Sequence, residues 1–229
     1  MLGSKQRFAI YFAPDDQSDL ARFGEVALKR KPNAEESALG PVYGRDLTQH
    51  KTFAAFPRHY GFHATLKAPF ELQDNTQIGK LERALEQFCS LHSPVPLTAL
   101  KPAILAGFIA LVCEPSASLK QLAFEVVKAF EPFRGPISEH DLQRRKPETL
   151  SPLARSYLHE YGYPYVGELF KFHMTLSGEN DPGFYQFLKD NFDEMVIDPV
   201  TLDRVALFRQ PHRDAPFERM ISWPLTAAG

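Results

Sequence analysis

The alternation of apolar and polar residues predicts a chain that mixes strands with helices and repeats one order of elements. Runs with a period of two, or short apolar runs, indicate strands, and apolar residues every three or four positions indicate amphipathic helices. The strands predicted in this way lie at residues 8–13, 60–70, 94–101, 108–114, 170–178, 200–209 and 217–225. The predicted helices lie at residues 16–31, 76–92, 118–133 (with Ser118 as its cap), 151–161 and 184–192, and a loop rich in glycine and proline follows the first of them.

This recurrence predicts an internal duplication within a single α+β domain that spans residues 1–229. Its approximate halves are 1–102 and 103–229, and each runs strand, helix, loop, strand, helix, strand. The stretch 134–166 breaks the symmetry as an insertion. Loops of this length beside a cleft are often lids, and an inert surface excursion is the alternative.

One tetrapeptide pattern occurs in two of the predicted strands, as His63-Ala64-Thr65-Leu66 and His173-Met174-Thr175-Leu176. Successive side chains of a strand point to opposite faces. The histidine and threonine of each motif therefore share one face, opposite an apolar anchor. The same alternation predicts that Lys67 and Lys171 lie on the histidine faces.

Two such strands facing each other across a cleft would bring together the groups that cleavage of a phosphodiester needs. One imidazole can take a proton from the nucleophile while the other gives one to the leaving oxygen. The threonine hydroxyls can hold the non-bridging oxygens, and Lys67 or Lys171 can supply positive charge. No metal or other cofactor is then required.

The composition narrows the class of partner. A formal net charge of -2 argues against a binder of long nucleic acid, and the basic triplets at 29–31 and 144–146 are typical of solvated helix ends. The two cysteines form no CxxC pair, which indicates neither a disulfide framework nor a zinc site. The longest apolar stretch, residues 103–113, is short for a membrane helix, so we expect a cytoplasmic protein without a membrane partner.

The segments around both motifs, residues 60–70 and 170–176, resemble the two signatures of the 2H phosphoesterase superfamily, and most closely its phosphonate-metabolism-associated, DUF1045-like branch. The segment Gly162-Tyr163-Pro164-Tyr165-Val166 extends the resemblance. It implies two pseudo-symmetric lobes of antiparallel sheet plus helices around a central groove, and metal-independent opening of a small cyclic phosphate, in that branch a ribose cyclic phosphate. The catalytic residues that it implies are His63, Thr65, His173 and Thr175.

Other functions stay open at this point. One is a nucleoside 2′,3′-cyclic phosphate or RNA-end phosphodiesterase, for which Tyr43, Tyr163 and Tyr165 are candidate base-stacking residues. Another is a non-catalytic module that binds a phosphorylated ligand. A metal hydrolase is disfavoured because no HExxH or HxH spacing occurs. The sequence leaves open which histidine is the acid, what the substrate is, and the oligomeric state.

Overall fold

A computed structural model describes residues 6–44, 46–197 and 199–227 of the chain. Its strands are β1 (Arg7–Phe12), β2 (Ala64–Phe70), β3 (Val95–Pro96), β4 (Lys101–Leu105), β5 (Phe108–Val112), β6 (Met174–Thr175), β7 (Thr201–Leu202), β8 (Arg204–Gln210) and β9 (Glu218–Pro224). Its α-helices are α1 (Asp19–Leu28), α2 (Leu47–Tyr60), α3 (Ile78–Ser90), α4 (Ala117–Ala129), α5 (Glu139–Arg144), α6 (Pro152–Tyr161) and α7 (Pro182–Met195). Within these ranges, no helix combines the length and apolar character that a membrane crossing needs.

Seven strands form one sheet in the order β4-β5-β6-β2-β1-β8-β9, and β3 pairs with β7 in a small second sheet. Every pairing is antiparallel. At the centre, β2 and β6 meet at one paired position, Ala64 with Met174, so a four-stranded part and a three-stranded part join there. The predicted α+β class with an antiparallel sheet is confirmed. β8 and β9, which belong to the second predicted half, extend the part of the sheet that contains β1 and β2. The division of the chain into two halves near residue 102 stays a prediction.

The main core lies where α1, α3, α4 and α7 pack together with the sheet. Both motif strands contribute their apolar anchors to it, and these side chains are at most 3% exposed: Ala64, Leu66, Met174 and Leu176. The predicted alternation is therefore confirmed around the two motifs. Burial of each such anchor fixes the opposite, polar side chains toward the other face of the sheet.

β1 is buried on both of its faces. Phe8, Ile10 and Phe12 enter the main core, whereas Ala9 and Tyr11 belong to a smaller cluster on the other face. Burial on both faces explains why the segment reads as a continuous apolar run rather than an alternating one.

Several predicted boundaries are wrong for identifiable reasons. α4 begins one residue earlier than expected, because Ser116 rather than Ser118 accepts the capping hydrogen bond, from the Leu119 N–H at 3.2 Å. α2 occupies the predicted loop and ends at Tyr60, which is therefore helical rather than part of a strand. The sequence pattern did not predict α2, because Pro57 lies inside the helix, where proline is normally unfavourable.

The second motif strand is much shorter than the predicted 170–178, because only Met174 and Thr175 pair with neighbouring strands. Within the insertion, the predicted helix is present as α6. Ser151 caps it by accepting a hydrogen bond from the Ala154 N–H at 3.3 Å. The insertion also contains α5, which the sequence pattern did not predict.

Candidate active site

A groove lies at the junction of β2 and β6, on the face of the sheet opposite the main core. It encloses a cavity of about 170 Å³. His63, Thr65, His173 and Thr175 all line this cavity, with Tyr11 beside them. The structure thus brings the two motifs into one site, although they are 110 residues apart in the chain (173 minus 63).

The strand register orders these four side chains. Ala64 pairs with Met174 in an antiparallel ladder. Continuing that register by one residue each way sets His63 opposite Thr175 and Thr65 opposite His173. The ladder itself is limited to that pair, because His63 and His173 lie just outside β2 and β6; it sets the two motifs side by side, and all four polar side chains line the one cavity.

Both imidazoles are fixed in the same way. The Nδ1–H of His63 donates to the Gly61 carbonyl at 2.8 Å, and the Nδ1–H of His173 donates to the Lys171 carbonyl at 2.9 Å. A carbonyl can only accept, so each neutral ring carries its proton on Nδ1 and keeps Nε2 as an acceptor. The Nε2 atom of His63 lies 3.3 Å from the Thr65 hydroxyl.

The environment of His63 favours its neutral form. Its ring stacks on Tyr11 with a centroid separation of 3.7 Å and an interplanar angle of 21°. Burial lowers the pKa of His63 to about 3; the hydrogen bond to the Gly61 carbonyl opposes this shift, and electrostatic interactions with His173 and Arg30 add smaller contributions in the same direction as burial. The imidazole is therefore uncharged at neutral pH, with the Nε2 lone pair available as an acceptor.

The placement of Lys67 on the histidine face is wrong. Tyr11 pairs with Thr65 and Ile10 with Lys67, so β2 has one more residue than β1 between these pairs, and the strand bulges. The bulge turns Lys67 away from the groove. Its side chain is 3% exposed and donates to the Val127 carbonyl at 3.1 Å and to Glu131 Oε2 at 2.8 Å.

Lys171 does not line the groove either. Its side chain is exposed, and it borders a separate, mainly apolar cavity of about 380 Å³ with Phe170 and Phe172. The Lys171 ammonium group therefore does not supply charge to the groove as predicted. Instead, the backbone carbonyl of Lys171 accepts the hydrogen bond that orients the His173 ring.

Of the three candidate stacking tyrosines, only Tyr163 lines the groove. Tyr43 lies elsewhere, packed among phenylalanines of the core, and its hydroxyl donates to Asp181 Oδ1 at 3.2 Å. Tyr165 is 50% exposed, with its ring 5.7 Å from that of Tyr163, and it lies outside the cavity lining.

The insertion supplies groove residues that the sequence interpretation missed. Arg144 and Arg145, at the end of α5, line the cavity together with Tyr163. The guanidinium of Arg145 lies over the Tyr163 ring, 4.5 Å from its centroid. The basic triplet 144–146 was the available signal. Its interpretation as a solvated helix end holds for Arg144, which is exposed in the last turn of α5, and is wrong for Arg145, which is partly buried. The insertion forms one wall of the groove.

No group of three or more histidine, cysteine, aspartate or glutamate side chains has the arrangement of a metal site in the part of the chain that the structure describes.

The fold and the groove define an α+β protein with two His-x-Thr motifs on the central strands of an antiparallel sheet. The chain belongs to the family described as "Protein of unknown function (DUF1045)", whose model matches residues 65–218. The predicted DUF1045-like branch is thereby confirmed.

Two bacterial relatives carry the name "Ribose 1,5-bisphosphate phosphokinase PhnN". The protein from Janthinobacterium sp. (strain Marseille) is 32% identical over 238 residues, which cover 99% of this chain and 52% of the relative. The protein from Laribacter hongkongensis (strain HLHK9) is 31% identical over 225 residues, which cover 92% of this chain and 50% of the relative. The chain thus spans about half the length of these relatives.

Among solved structures, the chain is similar to TT0787 of Thermus thermophilus, at 15% identity and a TM-score of 0.45, with 97% of this chain and 100% of that one covered. It is also similar to E. coli LigT complexed with ATP, at 14% identity and a TM-score of 0.41, with 98% and 99% covered.

Proposed function

We propose that this protein is a metal-independent phosphoesterase that opens a small cyclic phosphate by acid and base catalysis from two histidines. The arrangement of the two motifs in one cavity supports this most directly. Each imidazole is held by its Nδ1–H and keeps Nε2 as the atom that can accept or deliver a proton. The Thr65 and Thr175 hydroxyls line the same cavity, where they can donate to the phosphate oxygens as charge builds up on them.

The two histidines take different roles in the proposed reaction. His63, neutral at neutral pH, removes a proton from water as the water oxygen bonds to phosphorus. His173, in its protonated form, delivers a proton to the leaving sugar oxygen of the cyclic phosphate as the bond between that oxygen and phosphorus breaks. Thr65 and Thr175 donate hydrogen bonds to the non-bridging oxygens. The product is a phosphate monoester, and each histidine ends in the protonation state with which the other began.

A ribose cyclic phosphate is the favoured substrate within this class. The two named relatives are described as acting on ribose 1,5-bisphosphate, and the resemblance to the phosphonate-associated branch points to the same type of sugar phosphate. The phosphokinase activity in that name belongs to proteins about twice as long, and we assign none of it to this chain.

The proposal predicts turnover of cyclic phosphates that survives chelation. The test uses ribose 1,2-cyclic, ribose 2,3-cyclic and nucleoside 2′,3′-cyclic phosphates with excess EDTA. His63→Ala and His173→Ala should each lower kcat by about 100-fold or more, because each removes one proton-transfer partner. His159→Ala, which replaces an exposed histidine on α6, is the matched control and should retain activity.

Full activity in the double variant His63→Ala, His173→Ala would refute the assignment of the catalytic pair. Loss of activity in EDTA with rescue by a divalent ion would favour a metal hydrolase. Binding of cyclic phosphates without turnover of any of them would favour a non-catalytic module.

A nucleoside 2′,3′-cyclic phosphate is the second candidate substrate, because one aromatic side chain at the groove is open to stacking. Phe56 on α2 lines the groove, is 59% exposed, and lies 5.4 Å from the Tyr60 ring. A base could stack on it, which is worth about 1–3 kcal/mol per base in single-strand binders. A kcat/KM for the nucleotide well above that for both ribose cyclic phosphates would favour this candidate.

A further inference from the structure

The wall of the groove that the insertion provides carries positive charge that the two motifs do not account for. Arg144 and Arg145 both line the cavity. Arg145 is half-buried beneath its neighbours, with its guanidinium over the Tyr163 ring. A stacked guanidinium keeps its planar set of N–H donors, which matches the geometry of a phosphate.

The carboxylates nearby neutralise this wall only in part, since Asp141 Oδ1 lies 3.7 Å from the exposed guanidinium of Arg144. Asp141 is the closest of them in the chain, and it is already bound by Arg213 at 2.8 Å and by Arg7 at 3.4 Å. Among the residues that the structure describes, no carboxylate oxygen lies within 4.0 Å of the Arg145 nitrogens. The end of the groove next to Arg145 therefore has a net positive charge.

Arg145 is also set apart from the reacting pair. Arg144 and Arg145 both border a second, smaller cavity of about 20 Å³, which none of the four motif residues His63, Thr65, His173 and Thr175 lines. They therefore stand at one end of the groove, beyond the phosphate that the two histidines would hold.

We propose that Arg144 and Arg145 bind a second phosphate of the substrate, which makes the substrate class a cyclic phosphate of a sugar that also carries a phosphate monoester. The motif residues act on the cyclic phosphate, and the arginines bind the dianionic monoester at the other end of the same molecule. This inference rests on the proposed function and names its substrate class.

The experiment compares two substrates that differ only in the monoester: ribose 1,2-cyclic phosphate with and without a 5-phosphate. Wild-type protein should prefer the 5-phosphorylated substrate in kcat/KM. Arg145→Gln should reduce that preference by about 30-fold, from the net strength of hydrogen bonds to a charged group, and the double variant Arg144→Gln, Arg145→Gln should reduce it further. Lys146→Gln, the exposed neighbour outside the cavity lining, is the matched control and should keep the preference.

Binding gives a readout that does not depend on turnover. Calorimetry should detect ribose 5-phosphate but not ribose on the wild-type protein, and Arg145→Gln should weaken that binding by a similar factor. Equal losses on both substrates would mean that the arginines hold the cyclic phosphate itself or only the fold, and would overturn the inference. Equal wild-type kcat/KM values for the two substrates, or equal binding of ribose and ribose 5-phosphate, would overturn it too. Absence of turnover with ribose 5-phosphate binding intact would instead contradict the proposed function alone.

Discussion

At the scale of single residues, the proposed chemistry depends on which imidazole is neutral. The two histidines have the same Nδ1–H contact to a carbonyl two residues earlier, so the hydrogen bonds do not distinguish them. The stacking of His63 on the buried Tyr11 does, since Tyr11 is 1% exposed and removes water from one whole face of the imidazole. A desolvated imidazole resists protonation.

His63 should therefore not titrate near its ordinary value in the free protein. Its pKa of about 3 lies below the ordinary 6.5, so its ring resonances should stay unchanged in NMR spectra between pH 5 and 8. Bound phosphate is an anion and favours the charged form, so added inorganic phosphate should move the titration upward. A free-state midpoint near 6.5 would contradict the desolvation of His63 against Tyr11.

The same shift has a consequence for stability. Unfolded chains bind the proton near pH 6.5 and folded chains only near pH 3, so the unfolded state binds more protons between these values. The contribution of neutral His63 to the free energy of unfolding is therefore complete above pH 6.5 and is lost as the pH falls toward 3.

At the scale of elements, the bulge in β2 decides which side of the sheet Lys67 reaches. Lys67 is buried and paired with Glu131, whereas Lys171 is exposed. Lys67→Met should lower the free energy of unfolding by about 1–3 kcal/mol, because it removes hydrogen bonds of a charged group. Glu131 keeps Arg134 as a partner at 2.6 Å, which limits the loss.

Urea unfolding of Lys67→Met checks this value, with Lys171→Met as the matched control. The control replaces an exposed lysine and should change the free energy of unfolding by no more than about 0.5 kcal/mol. Equal effects of the two substitutions would contradict the assigned burial of Lys67.

The sequence predicts those elements whose apolar pattern follows one period without interruption. The motif residues are placed correctly because Ala64 and Met174 alternate with polar neighbours on strands buried on one side. Lys67 lies one residue beyond the bulge, and alternation carries no information about an extra residue. The arginines of α5 were missed because that helix is six residues long and has no buried side chain, so it leaves no apolar period to detect.

At the scale of the whole molecule, one carboxylate ties the insertion to the sheet. Asp141 on α5 accepts hydrogen bonds from Arg213, in the turn between β8 and β9, at 2.8 and 3.1 Å. It also accepts from Arg7 on β1 at 3.4 Å and from Ser138 at 2.9 Å. These contacts fix the helix that carries Arg144 and Arg145 against the rest of the protein, so the wall of the groove is set by a contact outside the groove.

Asp141→Asn should loosen this attachment. Burial raises the pKa of Asp141, but the hydrogen bonds from Arg213 and Ser138 and the charges of Arg213 and Arg7 lower it by more, so it lies well below its ordinary 3.8. The carboxylate is thus bound more strongly when charged. Removing one partner of a buried ion pair costs about 3–5 kcal/mol, and we expect about 3 kcal/mol at pH 7 because the Asp141 side chain is 16% exposed.

The pH dependence of the stability difference distinguishes the loss of the Asp141 charge from a loss of packing. A lowered folded-state pKa gives stability that is present above the ordinary value and is lost as the pH falls below about 4. The difference in unfolding free energy between wild type and Asp141→Asn should therefore be constant from pH 5 to 7 and shrink below pH 4. Asp193→Asn, which breaks the exposed pair with Lys189 on α7, should change stability by less than about 1 kcal/mol at any pH. A difference in unfolding free energy for Asp141→Asn that persists unchanged at pH 3 would show that packing, rather than the ion pairs of Asp141 with Arg213 and Arg7, holds the insertion against the sheet.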